Sequence, residues 1–268
     1  MKKFKGFTLL ELIIVMAILA ILMTAIIQLF KPIRETYVDA TLYENQRTTQ
    51  NGIMRYISES VRFSTDLGIY TNNKASTATD AIEKFAAEYL PAYGVNPGDS
   101  NYNDNVKELK KYAEVIIIDN NKYNYRGKDY TGRLLRRKFT GNELVNVEPT
   151  PANIATNAVN SDWRIALGES YYGDSSYSIL LKDPDPAPPS TAWEANEGIE
   201  IRVTSQLNYS MRNYVSGSGV VSNSGLVICR NQAEAGGVFD TTNYDPTAVL
   251  LPNSKVYIVF LNERIKLV

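Results

Sequence analysis

The chain has 268 residues, room for one long helix and one or two folded domains. Its 28 basic and 29 acidic side chains nearly cancel, which excludes a nucleic-acid binder driven by overall charge. It has no histidine and a single cysteine, Cys229, which excludes an intrachain disulfide, removes the commonest general base and metal ligand, and argues against an enzyme; no cofactor is expected.

Phe7 to Phe30 is apolar except for Thr8, Glu11, Thr24 and Gln28. At about 1.5 Å per residue a helix over this run exceeds the roughly 30 Å of a bilayer's hydrocarbon core. Lys2, Lys3 and Lys5 precede it and favour a cytoplasmic N-terminus. Glu11 does not fit a plain anchor. A charge at the centre of a membrane helix costs about 2.5–3.5 kcal/mol on insertion scales, less toward its ends, and usually has a partner. The next basic residue is Lys31, about 30 Å along the helix. A cut between Gly6 and Phe7 would create a partner, the new α-amino group, with Glu11 the fifth residue of the shortened chain. That pair could close within one chain or between two chains staggered along the membrane normal.

The run Lys5-Gly6-Phe7-Thr8-Leu9-Leu10-Glu11-Leu12-Ile13 resembles the class III leader of type IV prepilins and type II secretion pseudopilins. The resemblance covers residues 1–30, and the remainder is compatible with the larger minor pilins. It implies that a prepilin peptidase removes residues 1–6, cutting between Gly6 and Phe7, and methylates Phe7. It implies that Glu11 pairs with the N-terminus of a neighbouring subunit and sets the axial offset between subunits. The function implied is that of a structural subunit, a minor pilin that initiates or caps a type IV pilus or related filament. A major pilin, a secretion pseudopilin, and a tip adhesin or DNA-binding pilin are the alternatives. Implied partners are other major and minor pilin subunits, the prepilin peptidase and the inner-membrane assembly platform. The helix over 7–30 would hold the subunit in the cytoplasmic membrane before extraction into a cell-surface filament. Many pilins of Gram-negative bacteria staple their C-terminal region with a disulfide, which this chain cannot form.

Lys31 and Pro32 close the apolar run. A kink is expected there, because Pro32 lacks an N–H and crowds the Gln28 carbonyl. Ile33, Tyr37 and Ala40 keep a helical spacing, residues 44–51 are polar all round, and Ile53, Met54, Ile57 and Val61 restore an apolar face beyond Gly52. Residues 31–64 thus read as the soluble half of a helical spine. A β-rich domain over 65–268 packs on it, giving an α+β protein with an antiparallel sheet.

Residues 65–105 read as a connecting region with a short helix over 81–89, ended by Leu90-Pro91. Asp99, Asn101 and Asn103 have the alternate spacing of a calcium loop. Asp104 and Lys110 stand where that loop wants Gly and Glu, so a solvated loop is favoured and no metal is assigned.

Residues 113–139 read as a β-meander, with strands over 114–118, 123–125 and 133–139. Arg126, Lys128, Arg133, Arg136, Arg137 and Lys138 form a basic cluster beside Tyr123, Tyr125 and Tyr130. It reads as a solvated strand face that blocks edge pairing. The alternative is a site for DNA or a cell-wall polyanion.

Residues 163–167 read as a short helix or strand and 177–181 as a strand. The proline-rich stretch from Asp183 to Pro189 is a stiff loop or a linker between two subdomains divided near 183–197. Ile199, Ile201 and Val203 alternate with Glu200, Arg202 and Thr204 in a half-buried strand. Residues 215–225 read as a flexible hairpin or loop, 226–229 as a short buried strand with Cys229 in the core, and 255–261 as a final strand that 265–268 extend.

Overall fold

A computed structural model describes residues 8–71, 75–138, 164–173, 175–182, 199–207, 220–227, 255–263 and 265–267. Its longest element is helix α1 (Leu9–Val61). The 53 residues of α1 span roughly 80 Å at the usual rise. The helix is unbroken through Pro32, although the proline ring cannot offer an N–H to the preceding turn. Every residue from Leu9 to Tyr37 is exposed. Burial begins further up, at Gln46, Gln50, Ile53, Ile57 and Val61, which recur every three or four residues and so share one face.

That face meets an antiparallel sheet in the order β1-β10-β2-β5-β6, formed by β1 (Asp66–Thr71), β2 (Glu114–Asp119), β5 (Arg133–Lys138), β6 (Arg164–Leu167) and β10 (Lys255–Leu261). The central strands β2 and β10 carry continuous apolar runs because both sheet faces are covered. Alternate side chains go to opposite layers. Ile116, Ile118, Ile258 and Phe260 join Ile53, Ile57 and Val61 of α1 in one core. Val115, Ile117, Tyr257 and Val259 form a second core with α2 (Ala78–Ala92) and α3 (Tyr102–Tyr112).

Helix α2 starts earlier than its apolar stretch suggests. Thr77 caps it by accepting from the Asp80 N–H at 3.1 Å, and Asp80 in turn accepts from the Ser76 N–H at 2.7 Å. It also runs through Pro91, which sits in the last turn, where bonds from Tyr93 and Val95 to the Leu90 carbonyl close the helix. Strand β1 and the start of helix α3 also fall within the expected connecting region.

The expected meander is also rearranged. β2 pairs directly with β5, and β3 (Tyr123–Tyr125) with β4 (Lys128–Tyr130) forms a separate hairpin between them. Its turn places Arg126 at φ +51° and Gly127 at φ +77°, the doubly left-handed geometry of two-residue hairpins. Residues 163–167 resolve as the edge strand β6 over its described part, followed by the one-turn helix α4 (Glu169–Tyr172).

A second antiparallel sheet is built from β7 (Ser175–Lys182), β8 (Ile199–Leu207) and β9 (Val220–Val227), in that order. β9 takes the place of the expected loop, and its short polar side chains have a physical reason. It runs beside the polar stretch of α1, so Gln50 donates to the Val221 carbonyl at 2.8 Å and to Ser205 Oγ at 3.0 Å, while Asn223 donates to Asn51 at 3.0 Å. Gly225 lies over the Met54 sulfur. The polar stretch of α1 is therefore docked. Gly52 beside it leaves the space that the Tyr171 ring occupies. Cys229, the division near 183–197 and residues 1–7 lie outside the described residues.

Candidate assembly site at the helix N-terminus

The four residues from Thr8 to Glu11 close the first turn of α1 on itself. Thr8 is extended (φ −72°, ψ 151°) and stands as the N-cap. Its hydroxyl accepts from the Glu11 N–H at 3.3 Å, and the Glu11 carboxylate accepts from the Thr8 N–H at 2.8 Å and the Thr8 hydroxyl at 2.9 Å. This reciprocal capping box satisfies two helix-terminal donors that have no partner within the helix. Glu11 is thus not a lone acid in the single chain: Thr8 holds it. The carboxylate also sits at the positive end of the helix dipole, where negative charge is favoured. Above it the helix presents apolar side chains around its whole circumference, from Leu9 and Leu10 through Ile18 and Leu22 to Phe30, all exposed. Such a surface belongs in lipid or against other helices. Gly6 and Phe7 lie outside the described residues.

Residues 1–27 match the family model described as the prokaryotic N-terminal methylation motif. The chain carries a prepilin-type leader. The motif supports the type IV pilin and pseudopilin family, a structural class, and with it processing by a prepilin peptidase and assembly with other pilins. Leader and apolar helix together support membrane anchoring before assembly. No curated protein and no solved structure matches the chain.

In the folded domain the basic cluster does not form one surface. Arg133 and Arg137 are buried at 3% and 1% exposure, though a charge run in a strand reads as solvated. Arg133 lies over the Tyr123 ring, 3.7 Å from its centre, and pairs with Glu169 at 3.4 Å. Arg136 donates twice to Glu114, at 2.9 and 2.5 Å, and once to Ser60 Oγ at 3.3 Å. Arg126 turns the β3–β4 hairpin and lies over Tyr125, and Lys128 belongs to β4. Lys138 ends β5. The alternation of the strand sends Arg136 and Arg137 to opposite faces, and the arginines with known partners serve the fold itself.

Asp99, Asn101 and Asn103 are not wrapped around a common centre. Asp99 accepts from the Asn96 N–H at 2.7 Å in the turn before α3, Asn101 is the N-cap position, and Asn103 lies in the first helical turn. Among the described residues no three His, Cys, Asp or Glu side chains are placed to hold a metal ion. The box at Thr8 and Glu11 was missed by reading the acid for its charge alone, yet its signature, a Thr three residues before a Glu at the head of an apolar run, is legible in the sequence.

Proposed function

We propose that the protein is a minor pilin, cleaved between Gly6 and Phe7, methylated on Phe7, and inserted at the start or end of a type IV pilus or related filament. The observation that carries this reading is the placement of Glu11, the fifth residue after the scissile bond, at the head of the exposed apolar stretch of α1. In the stored subunit Thr8 satisfies that acid. In the filament the Phe7 ammonium of an adjoining subunit takes over, so that the carboxylate meets a full opposite charge where Thr8 offers only neutral donors. The offset between subunits follows from that pairing. A minor role is supported by the size of the domain, which carries a second sheet and two covering helices and exceeds a typical major pilin.

Mass spectrometry of the protein from cells with an intact pilus system tests the processing step: the chain is expected to start at N-methylated Phe7, and a chain retaining Met1 overturns the reading. Glu11→Val should leave membrane insertion intact and deplete the subunit from sheared filaments. Normal incorporation of that variant would remove the role of Glu11. Quantifying the wild-type subunit in the same filaments separates the ranks, since a minor pilin is a trace component and a major pilin the bulk.

A further inference from the structure

Where α1 leaves its apolar run it carries two cations three residues apart. Lys31 and Arg34 are exposed, and neither side chain is paired with a described residue. Lys31 stands roughly 30 Å above Glu11 along the helix, the thickness of a bilayer's hydrocarbon core. The geometry points to a clamp for an anionic phospholipid: Lys31 and Arg34 grip the headgroup phosphate at the far face of the membrane while the subunit is stored there. The inference rests on the anchoring of α1 in the membrane with its leader end in the cytoplasm, and adds to that reading the lipid the anchor selects.

The helix sets the local arrangement. It is unbroken through Pro32, and the Thr36 hydroxyl donates to the Pro32 carbonyl at 2.9 Å, which ties the turn that holds Arg34. Residues three apart on a helix are surface neighbours with Cβ atoms about 5–6 Å apart, so one phosphate can meet both side chains. Helical side chains lean toward the N-terminus. At Lys31 and Arg34 that direction is back toward the lipid; at Glu11 it is out of it. Glu11 therefore lies at one edge of the hydrocarbon, and the two cations reach down to the headgroups of the other, their stems along the apolar surface. Tyr37 follows Phe30 and Arg34 at the spacing of one helical stripe and is 72% exposed. It stands roughly 9 Å above Lys31, at the membrane–water boundary where amphipathic rings settle.

Charge decides which lipid. Cations beyond the outer end of a span work against the bias that orients it, so Lys31 and Arg34 do not serve insertion. A planar guanidinium beside an ammonium suits a phosphodiester, which the first meets with two parallel bonds and the second as a point charge. Glu35 is the one acid between residues 31 and 37, and it is exposed. It offsets one of the two cations, leaving the pull of a single net charge. That pull favours a phosphatidylglycerol-type headgroup, whose phosphate has no cation of its own, over phosphatidylcholine, whose ammonium cancels it.

The test places the full processed chain in phosphatidylcholine vesicles with a trace of spin-labelled phosphatidylglycerol or spin-labelled phosphatidylcholine, and reads the immobilised lipid by electron paramagnetic resonance. Phosphatidylglycerol should be held about fivefold better, the worth of one net cation at the surface. Lys31→Gln with Arg34→Gln should erase that preference and Glu35→Gln should raise it. Arg47→Gln should leave it unchanged, being roughly 24 Å further up the helix and beyond the screening length of about 8 Å. All four side chains are exposed, so the variants should melt with the wild type. A chain that inserts without preference, or a preference that survives the double variant, overturns the clamp and leaves the anchor standing; a chain that stays out of the vesicles overturns both. A double variant that keeps the lipid preference but shifts the chain from dimer to monomer in nanodiscs hands the face to a second copy and overturns the clamp as well.

Discussion

Gly132 shows how tightly single positions are fixed. Its φ is +79°, and a Cβ there would collide with the Tyr177 carbonyl of β7. The same residue donates to the Asp119 carbonyl and accepts from the Tyr172 hydroxyl. It is where β5 enters the main sheet while touching the second one. Gly127 has a similar φ of +77° but open space around it. Gly127→Ala should therefore cost only the left-handed strain, about 1–2 kcal/mol, whereas Gly132→Ala adds a backbone clash and should cost more than about 3 kcal/mol. Thermal melts of the two variants check the contrast; equal losses would refute it. At this scale the sequence was legible where a residue acts locally, as with the Thr8–Glu11 box and the Thr77 cap. It was not legible for Arg133 and Arg137, because their burial depends on Glu169 and on layers supplied from distant parts of the chain.

Helix α4 shows the same dependence among elements. Through one turn, Glu169 accepts from the Tyr123 hydroxyl at 3.1 Å and pairs with buried Arg133, while Tyr171 and Tyr172 reach α1 and the β4–β5 corner. Removing one member of a buried pair leaves the other charge uncompensated, at a cost of about 3–5 kcal/mol. Glu169→Ala should lower the denaturation midpoint accordingly. Arg133→Met combined with Glu169→Gln should recover most of the loss, since no buried charge then remains; a double variant as unstable as Glu169→Ala would sink this account. Strands β2, β8 and β10 were readable because apolar runs or strict alternation betray them. β1 was hidden by its glycine and by a partner, β10, from the far end of the chain. β9 was hidden because it faces a polar stretch of helix. In α3 the apolar stripe, Tyr102, Val106 and Leu109, is diluted by Asn, Asp and Lys.

Across the whole molecule, the layers of α1, sheet and α2–α3 enclose several tyrosines whose phenols resist ionisation. Burial, reinforced by the hydrogen bond to Glu88 at 2.6 Å, raises Tyr70 well above the usual phenol value. Burial likewise raises Tyr123, with Glu169 adding to it, and Tyr172. The unfolded chain releases these protons from about pH 10, while the native chain keeps them. The unfolded state then binds fewer protons, so stability is complete below about pH 10 and falls as pH rises beyond it. Melting temperature measured upward from neutral pH should stay level and then drop, with phenolate absorbance appearing together with unfolding. Tyr70→Phe should flatten the drop. Phenolate absorbance of the buried class appearing in the folded protein would contradict the burial argument.

The stretch of α1 from Leu9 to Tyr37 buries nothing within its own chain, and all five buried residues of that helix lie from Gln46 upward. In a polymer held together by its lower helices, tension would run from subunit to subunit along the shaft and bypass the sheets. The upper body would ride as cargo. Its outer surface would then be free to diverge under selection without weakening the cable that carries it.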